Sequence, residues 1–223
     1  MPLDRTPRQE EAARTVAELL LEIEAVHIRP AEPFTLTSGK LSPVYVDCRR
    51  IISFPRARAA IMDLAAEAMG AMPFDYIAGG ETAGIPFAAW LAERLDRPMV
   101  YVRKQPKGFG RNARIEGHMP EGSNVLLVED LTTDGGSKIG FADAIREAGS
   151  RASATFSVFY YDTFPDAPAT LKAAGMDLHF LTTWWSVLDA ARERGMAEAE
   201  LKEAEVFLHD PKAWSAAHGG SEE

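Results

Sequence analysis

The chain has 223 residues, 46% hydrophobic and 26% charged, which is the composition of an ordinary globular protein long enough to bury its own core. A formal net charge of −9 argues against a nucleic-acid-binding surface, and no apolar run reaches the roughly 18 residues that a membrane span requires. The single cysteine, Cys48, excludes an internal disulfide and fits a reducing compartment, and the first residues lack the apolar segment of a secretory signal. We therefore expect a cytoplasmic protein with no nucleic-acid or membrane partner.

The first predicted element is an amphipathic helix over 7–26. Residues 6–9 match a capping box with proline at the first helical position, and apolar residues then recur at helical spacing. Two short strands are predicted at 34–36 and 44–48, around a Ser-Gly turn.

Beyond residue 50, strands and helices alternate along the chain. Strands are predicted at 76–78, 99–103, 125–128, 154–161 and 178–182, and helices at 57–69, 85–95, 136–148 and 167–174. The polar segment 104–122 is predicted as a loop, and helices rich in Ala, Glu and Leu finish the chain. The alternation predicts an α/β fold with a parallel sheet, in which ligands bind beyond the C-terminal ends of the strands.

The strongest motif follows the apolar strand at 125–128. Two carboxylates close the strand, and a turn rich in hydroxyls and glycine then opens a helix. Glycines let backbone amides approach an anion at a helix N-terminus, hydroxyls donate to phosphate oxygens, and carboxylates accept from ribose hydroxyls. A capped turn without a ligand would explain the hydroxyls but not the paired acids. The predicted phosphate-and-ribose site comprises Glu129, Asp130, Leu131, Thr132, Thr133, Asp134, Gly135, Gly136 and Ser137.

A second feature is a concentration of positive charge in an acidic chain. Five basic residues fall within twelve positions, namely Arg103, Lys104, Lys107, Arg111 and Arg114. Such a segment is typical of a site for a small, highly anionic ligand. Cations that reach a leaving pyrophosphate only when a loop closes would stabilise the transition state preferentially.

The acid pair, the Thr-Thr turn and the glycines resemble the phosphoribosyl-diphosphate signature of type I phosphoribosyltransferases. They match neither the Walker A loop nor the dinucleotide fingerprint. Three further segments resemble the orotate branch of that family, where 34–47 corresponds to the hood over the base, 80–86 to the pyrophosphate loop and 103–110 to the mobile catalytic loop.

The resemblance implies a Rossmann-like parallel sheet of the type I phosphoribosyltransferase kind with a small N-terminal hood. Its domains would be a helix and hood at 1–50, a core at 51–195 and a C-terminal helical extension with a tail at 196–223. It implies a homodimeric enzyme of pyrimidine synthesis that transfers ribose 5-phosphate from phosphoribosyl diphosphate to orotate. Mg²⁺ would be the cofactor, with no metal ligand assigned to a protein side chain.

The resemblance also assigns residues to roles. Catalysis is assigned to Arg103, Lys107 and Asp130, and pyrophosphate binding to Arg103, Lys104 and Lys107. Orotate binding is assigned to Thr37, Tyr45, Thr133 and Thr163.

The sequence departs from the family pattern at several positions. Phe109 replaces a loop histidine, Ala83 a pyrophosphate-binding lysine and Thr163 an arginine that meets the orotate carboxylate, while Thr37 and Asp134 are also unusual. Two alternatives therefore stay open at this point. One is a phosphoribosyltransferase for another base, and the other is a regulator that binds the donor without catalysis.

Overall fold

The computed structural model describes residues 5–36, 38–106, 114–164 and 166–221. Two compact units make up the chain. The first contains 1–57, 161–163 and 182–223, and the second contains 58–160 and 164–181. The predicted N-terminal segment and the predicted C-terminal extension thus belong to the same unit.

Helices and strands follow in the order that the sequence predicts, with some additions. The helices are α1 (Pro7–Glu22), α2 (Pro55–Met69), α3 (Gly84–Leu95), α4 (Gly136–Glu147), α5 (Ala167–Ala173), α6 (Trp184–Glu193), α7 (Glu198–His209) and α8 (Pro211–Ala217), with a 3₁₀ helix at Cys48–Ser53. The strands are β1 (Val26–Ile28), β2 (Phe34–Thr35), β3 (Leu41–Ser42), β4 (Val44–Val46), β5 (Tyr76–Gly80), β6 (Met99–Val102), β7 (Ile115–Glu116), β8 (Asn124–Thr132), β9 (Arg151–Tyr160) and β10 (Asp177–Thr183). No helix among the described residues is long and apolar enough to cross a membrane.

The second unit is built on a six-stranded sheet with the strand order β10-β9-β8-β5-β6-β7. β5 pairs in parallel with both β6 and β8, and β8 pairs in parallel with β9. β7 is antiparallel to β6, and it lies in a segment that the sequence predicted as loop. The prediction of an α/β fold with a mainly parallel sheet is confirmed.

β8 is four residues longer at its C-terminal end than predicted. The ladder with β9 continues as far as the pair Thr132–Tyr160, so the two acids belong to the strand and not to the turn after it. The strand is buried on both sides, as expected where a parallel sheet is covered on both faces. Side chains from β8, β6 and α4 form the centre of this core, among them Val102, Val125, Leu127, Phe141 and Ile145.

In the first unit, α1 begins as predicted. The Thr6 side chain accepts from the amide of Gln9, and the Gln9 side chain accepts from the amide of Thr6, which completes the capping box. The helix ends at Glu22 and not at residue 26, because Val26 already pairs with Val46 in the antiparallel ladder of β1 and β4.

The hood segment contains three strands, where the sequence predicts two. The strands predicted at 34–36 and 44–48 do not pair with each other. β2 forms a hairpin with β3, in which Phe34 lies opposite Ser42, and β4 pairs with β1. Cys48, the single cysteine of the chain, follows these strands and is fully buried.

The C-terminal residues hold this hairpin. The amide of Leu41 donates to the Oγ of Ser215 in α8 at 2.9 Å. Farther along, the amide of Ser221 donates to the carbonyl of Gly39 at 3.1 Å, and its hydroxyl donates to the carbonyl of Ser38 at 3.1 Å. The hairpin at 34–42 is therefore fixed by residues about 180 positions away in the chain.

Candidate active site

Two adjacent glycines in the turn between β8 and α4 differ in backbone conformation and in packing. Gly135 has a φ of +85°, and a Cβ there would lie 2.9 Å from the Leu171 side chain, so this position requires glycine. Gly136 opens α4 with ordinary backbone angles, and a Cβ there would meet only the Oδ1 of Asp134, at 3.6 Å. The first amides of α4 thus face a side of the turn where an anion can approach.

The predicted phosphate-binding side chains are placed in different environments. The Thr132 hydroxyl is fully buried and shares a hydrogen bond with the Ser157 hydroxyl at 3.0 Å, so it faces the interior of the unit. Thr133 is half-buried and Ser137 is exposed. Asp134 is exposed and its Oδ1 accepts from the amide of Gly136 at 3.0 Å, so its carboxylate lies against the helix N-terminus.

The acid pair is enclosed. Glu129 and Asp130 are 8% and 5% exposed, respectively. Burial raises the pKa of Glu129 to about 7, and the nearby Lys138 ammonium opposes part of that rise. The Oε1 of Glu129 is buried and has no hydrogen-bond partner among the described residues. This carboxylate oxygen is therefore a buried acceptor that the described residues leave unsatisfied.

Gly80 and Gly84 make room for the Glu129 carboxylate. A Cβ on either glycine would collide with the Oε1 of Glu129. The segment predicted as the pyrophosphate loop, 80–86, consequently lies against Glu129, at the C-terminal end of β5. The sequence predicts a turn here, but it does not show that its glycines are needed for close approach to Glu129.

Lys138 is a site residue that sequence reasoning missed. It is 4% exposed, and its ammonium donates to the Leu131 carbonyl at 2.6 Å. The same ammonium lies 3.8 Å from the Oε2 of Glu129. One signal was available, because a lysine in the first turn of a helix opposes the helix dipole and needs a compensating partner.

The basic segment starts at the end of the neighbouring strand, β6. The Arg103 guanidinium lies 3.4 Å from the Glu116 carboxylate, and the Arg114 Nε donates to the Arg103 carbonyl at 3.0 Å. The amide of Lys104 donates to the Oε2 of Glu81 at 2.8 Å. Residues 80–84, 103–104 and 129–138 therefore meet at one edge of the sheet, where β5, β6 and β8 end. Lys107, Phe109 and Arg111 lie outside the described residues.

The residues predicted to bind the base are divided between the two units. Thr133 belongs to the second unit, whereas Tyr45 and Thr163 belong to the first and Thr37 lies outside the described residues. Tyr45 is 42% exposed, and its ring centroid lies 5.4 Å from that of Phe34. Thr163 is 8% exposed, and its hydroxyl has no hydrogen-bond partner among the described residues.

Comparisons with known proteins agree with this geometry. Residues 50–172 match the family model described as "Phosphoribosyl transferase domain". The orotate phosphoribosyltransferase of Cereibacter sphaeroides is 59% identical over 95% of this chain and 93% of its own, and that of Roseobacter denitrificans is 57% identical over 95% and 96%. The crystal structure of orotate phosphoribosyltransferase from Aeropyrum pernix superposes with a TM-score of 0.70 at 29% identity, covering 80% of this chain and 98% of that one. The chain belongs to the phosphoribosyltransferase family and, within it, to the orotate phosphoribosyltransferases.

Proposed function

We propose that the chain transfers ribose 5-phosphate from phosphoribosyl diphosphate to orotate, giving orotidine 5′-phosphate and pyrophosphate. The observation that carries this proposal is the meeting of a buried acid pair, a glycine turn and a basic strand end at one edge of the sheet. Each matches one part of the donor, namely the ribose hydroxyls, the 5′-phosphate and the pyrophosphate. The identity to curated orotate phosphoribosyltransferases supports the choice of orotate as the acceptor.

The donor would be held mainly by β8 and by the start of α4. The 5′-phosphate would rest against the amides of residues 133–137 other than Gly136, whose amide donates to Asp134, with hydroxyls from Thr133 and Ser137. Because the Thr132 hydroxyl already bonds to Ser157, we assign Thr132 a backbone contact only. Glu129 and Asp130 would accept the ribose hydroxyls and complement the positive charge that develops on the ring as pyrophosphate leaves.

Arg103, Lys104 and Lys107 would receive the departing pyrophosphate. These cations contribute most where negative charge accumulates in the transition state, which lowers the barrier more than it strengthens ground-state binding. The orotate nitrogen would attack the anomeric carbon from the opposite side, with Tyr45, Thr133, Thr163 and Thr37 as the proposed base contacts. Thr163 stands in place of the family arginine, and its buried hydroxyl has no hydrogen-bond partner among the described residues.

Mg²⁺ fits this site as an ion that arrives with the donor. The described residues contain no group of three or more His, Cys, Asp or Glu side chains that could hold a metal ion, whereas pyrophosphate and ribose oxygens are the hard ligands that Mg²⁺ prefers. When bound, the ion would neutralise part of the pyrophosphate charge. We further propose a cytoplasmic homodimer that works in the synthesis of UMP, in which the basic segment of one subunit reaches the site of the other.

A panel of bases tests the proposal. The protein is incubated with phosphoribosyl diphosphate and Mg²⁺ together with orotate, uracil, adenine or hypoxanthine, and pyrophosphate release is followed. We expect pyrophosphate release with orotate and with none of the other three bases. Release with another base would identify a different acceptor, for which Thr163 in place of arginine is the motivating feature. Donor binding with no release for any base would favour a regulator.

A further inference from the structure

A buried lysine next to the acid pair has no task in the mechanism outlined above. The placement of Lys138 is unfavourable in free energy for two reasons. Its ammonium loses hydration on burial, and its charge opposes the dipole of α4. An uncompensated charge in such a place would be strongly destabilising. Its surroundings must therefore supply what water no longer does.

The structure shows the compensating contacts. The ammonium donates to the Leu131 carbonyl at 2.6 Å and lies 3.5 Å from the Ser137 hydroxyl, so the end of β8 and the first turn of α4 hold it in place. From that position it faces the Oε2 of Glu129 at 3.8 Å. The opposite oxygen, Oε1, is buried and has no hydrogen-bond partner within the part of the chain that the structure describes.

We propose that Lys138 is a positioning residue of the donor site, whose ammonium is the counter-ion that keeps the Glu129 carboxylate ionised and fixed in place for binding of the donor ribose. The inference rests on the proposed donor site at Glu129 and Asp130. It assigns to Lys138 no contact with the substrate. The resemblance to the family assigns no role to this position.

The charges around the pair decide how the protein responds to pH. Glu129 is faced by Lys138 from α4, by Asp130 from its own strand and by Lys104 from the segment after β6. Lys138 is faced by Glu129, Asp130 and Asp134. Burial raises the pKa of Glu129 and lowers the pKa of Lys138, and the attraction between the two opposes both changes. Removing the ammonium would leave burial and Asp130 to raise the pKa of Glu129 further.

The test measures the affinity for phosphoribosyl diphosphate with Mg²⁺ by calorimetry between pH 6 and pH 9. In the native protein we expect affinity to increase as the pH rises through about 7, the pKa of Glu129, because the ionised carboxylate accepts the hydroxyl. In Lys138→Met, we expect binding at pH 7 to weaken by about fivefold or more, because a pKa one unit higher lowers the ionised fraction of Glu129 at that pH from about a half to about a tenth. The rise in affinity should move to higher pH, and most of the loss should be recovered at pH 9.

Two controls separate this role from a merely structural one. Lys172→Met removes an exposed lysine of α5 that pairs with Asp177, and it should leave both the affinity and its pH dependence unchanged. In the Glu129→Gln variant, the part of the pH dependence that is due to the protein should disappear. Adding Lys138→Met to this variant should change the affinity by less than about twofold, because a residue that acts through the Glu129 carboxylate has no further effect once that carboxylate is replaced.

Three outcomes would overturn the inference. They are native affinity and pH dependence in Lys138→Met, an equal loss at every pH, and an undiminished effect of Lys138→Met in the Glu129→Gln background. Circular dichroism of each variant checks the fold, and Lys138→Gln, which can still donate to Leu131, replaces Lys138→Met if the latter does not fold. If the native protein itself fails to bind the donor, the proposed function fails. If the native protein binds the donor and the Lys138 variants behave in the same way, the proposed function stands and only the inference about Lys138 fails.

Discussion

Gly136 combines an ordinary backbone conformation with open space on the side of the turn where the phosphate is proposed to bind. A Cβ at this position would meet only Asp134 among the described residues, so their packing does not require glycine there. Gly135, one residue earlier, does require glycine because of its positive φ and the Leu171 side chain. The fold therefore requires glycine at position 135, whereas we propose that phosphate binding requires it at position 136.

We predict that Gly136→Val abolishes most donor binding and leaves the fold intact. The branched side chain would cover the first amides of α4, and losing one charged hydrogen bond of about 1.5–3 kcal/mol weakens binding by about tenfold or more. The free energy of unfolding should change by less than about 1 kcal/mol, since valine is tolerated in a first turn at least as well as glycine. Calorimetry with phosphoribosyl diphosphate and thermal unfolding measure the two quantities.

Gly140→Val is the matched control for this prediction. Gly140 lies in the same helix, and a Cβ there meets no atom within 4 Å. Its substitution should change neither donor affinity nor stability appreciably. Near-native affinity in Gly136→Val would show that the phosphate does not bind at this helix N-terminus.

The sequence is sufficient to predict some residues of this site but not the environment of others. The acids, the glycines and the hydroxyls are adjacent in the chain, so their chemistry is visible as one motif. Thr132 and Lys138 show the limit of that approach. The Thr132 hydroxyl is taken up by Ser157 from another strand, and the burial of Lys138 depends on packing that no local pattern encodes.

Elements show a similar division. The β8 strand is longer than its apolar run because β9 continues to pair with it beyond Val128, and such pairing is not a local property. The hood strands were predicted in nearly the right places, but without β3 and without their partners. A short strand such as β2 carries too little side-chain pattern to specify which neighbour it joins.

The bond between α8 and the β2–β3 hairpin can be tested at the element scale. We predict that Ser215→Ala loosens the hairpin, because the Leu41 amide loses its acceptor in a place where Ser215 is 1% exposed. Leaving a buried donor unsatisfied costs about 1–3 kcal/mol. Amide hydrogen exchange should therefore quicken at Leu41 and its hairpin neighbours, with exchange in β8 unchanged.

Ser153→Ala is the control, since the Ser153 hydroxyl bonds to the Asn124 side chain at an exposed position of the other unit. It should leave exchange in the hairpin at the native rate. Unchanged exchange at Leu41 in Ser215→Ala would mean that the hairpin is held by other contacts.

For the whole molecule, the alternation of strands and helices was sufficient to predict the mainly parallel α/β sheet. The sequence could not predict that the C-terminal helices belong to the same unit as the N-terminal residues. The helices α6, α7 and α8 join that unit through contacts between the two ends of the chain. One such contact is the hydrogen bond from the Thr182 hydroxyl to the Ala13 carbonyl at 2.9 Å. Contacts over this sequence distance leave no periodic signal in either segment.

The proposed homodimer with a shared site predicts complementation between inactive subunits. Asp130→Asn and Lys107→Ala should each lower turnover strongly, because one weakens the ribose contact and the other the contact to the leaving pyrophosphate. A mixed dimer would contain one site with both native residues. If subunits exchange at random, the mixture should regain about a quarter of native activity.

The measurement is pyrophosphate release from each variant alone and after mixing, with the dimer fraction followed by sedimentation. A mixture no more active than its components, despite demonstrated exchange, would show that Lys107 acts within its own subunit.

The fully buried Cys48 thiol makes the protein convenient for site-specific labelling. Maleimide reagents need an accessible thiolate, so the native protein should remain unlabelled while it is folded. Gln105 lies exposed in the basic segment, and Gln105→Cys would provide a single reactive position without removal of the native cysteine. A fluorophore there would report the environment of that segment during turnover, and any labelling of the parent protein would in turn report its unfolding.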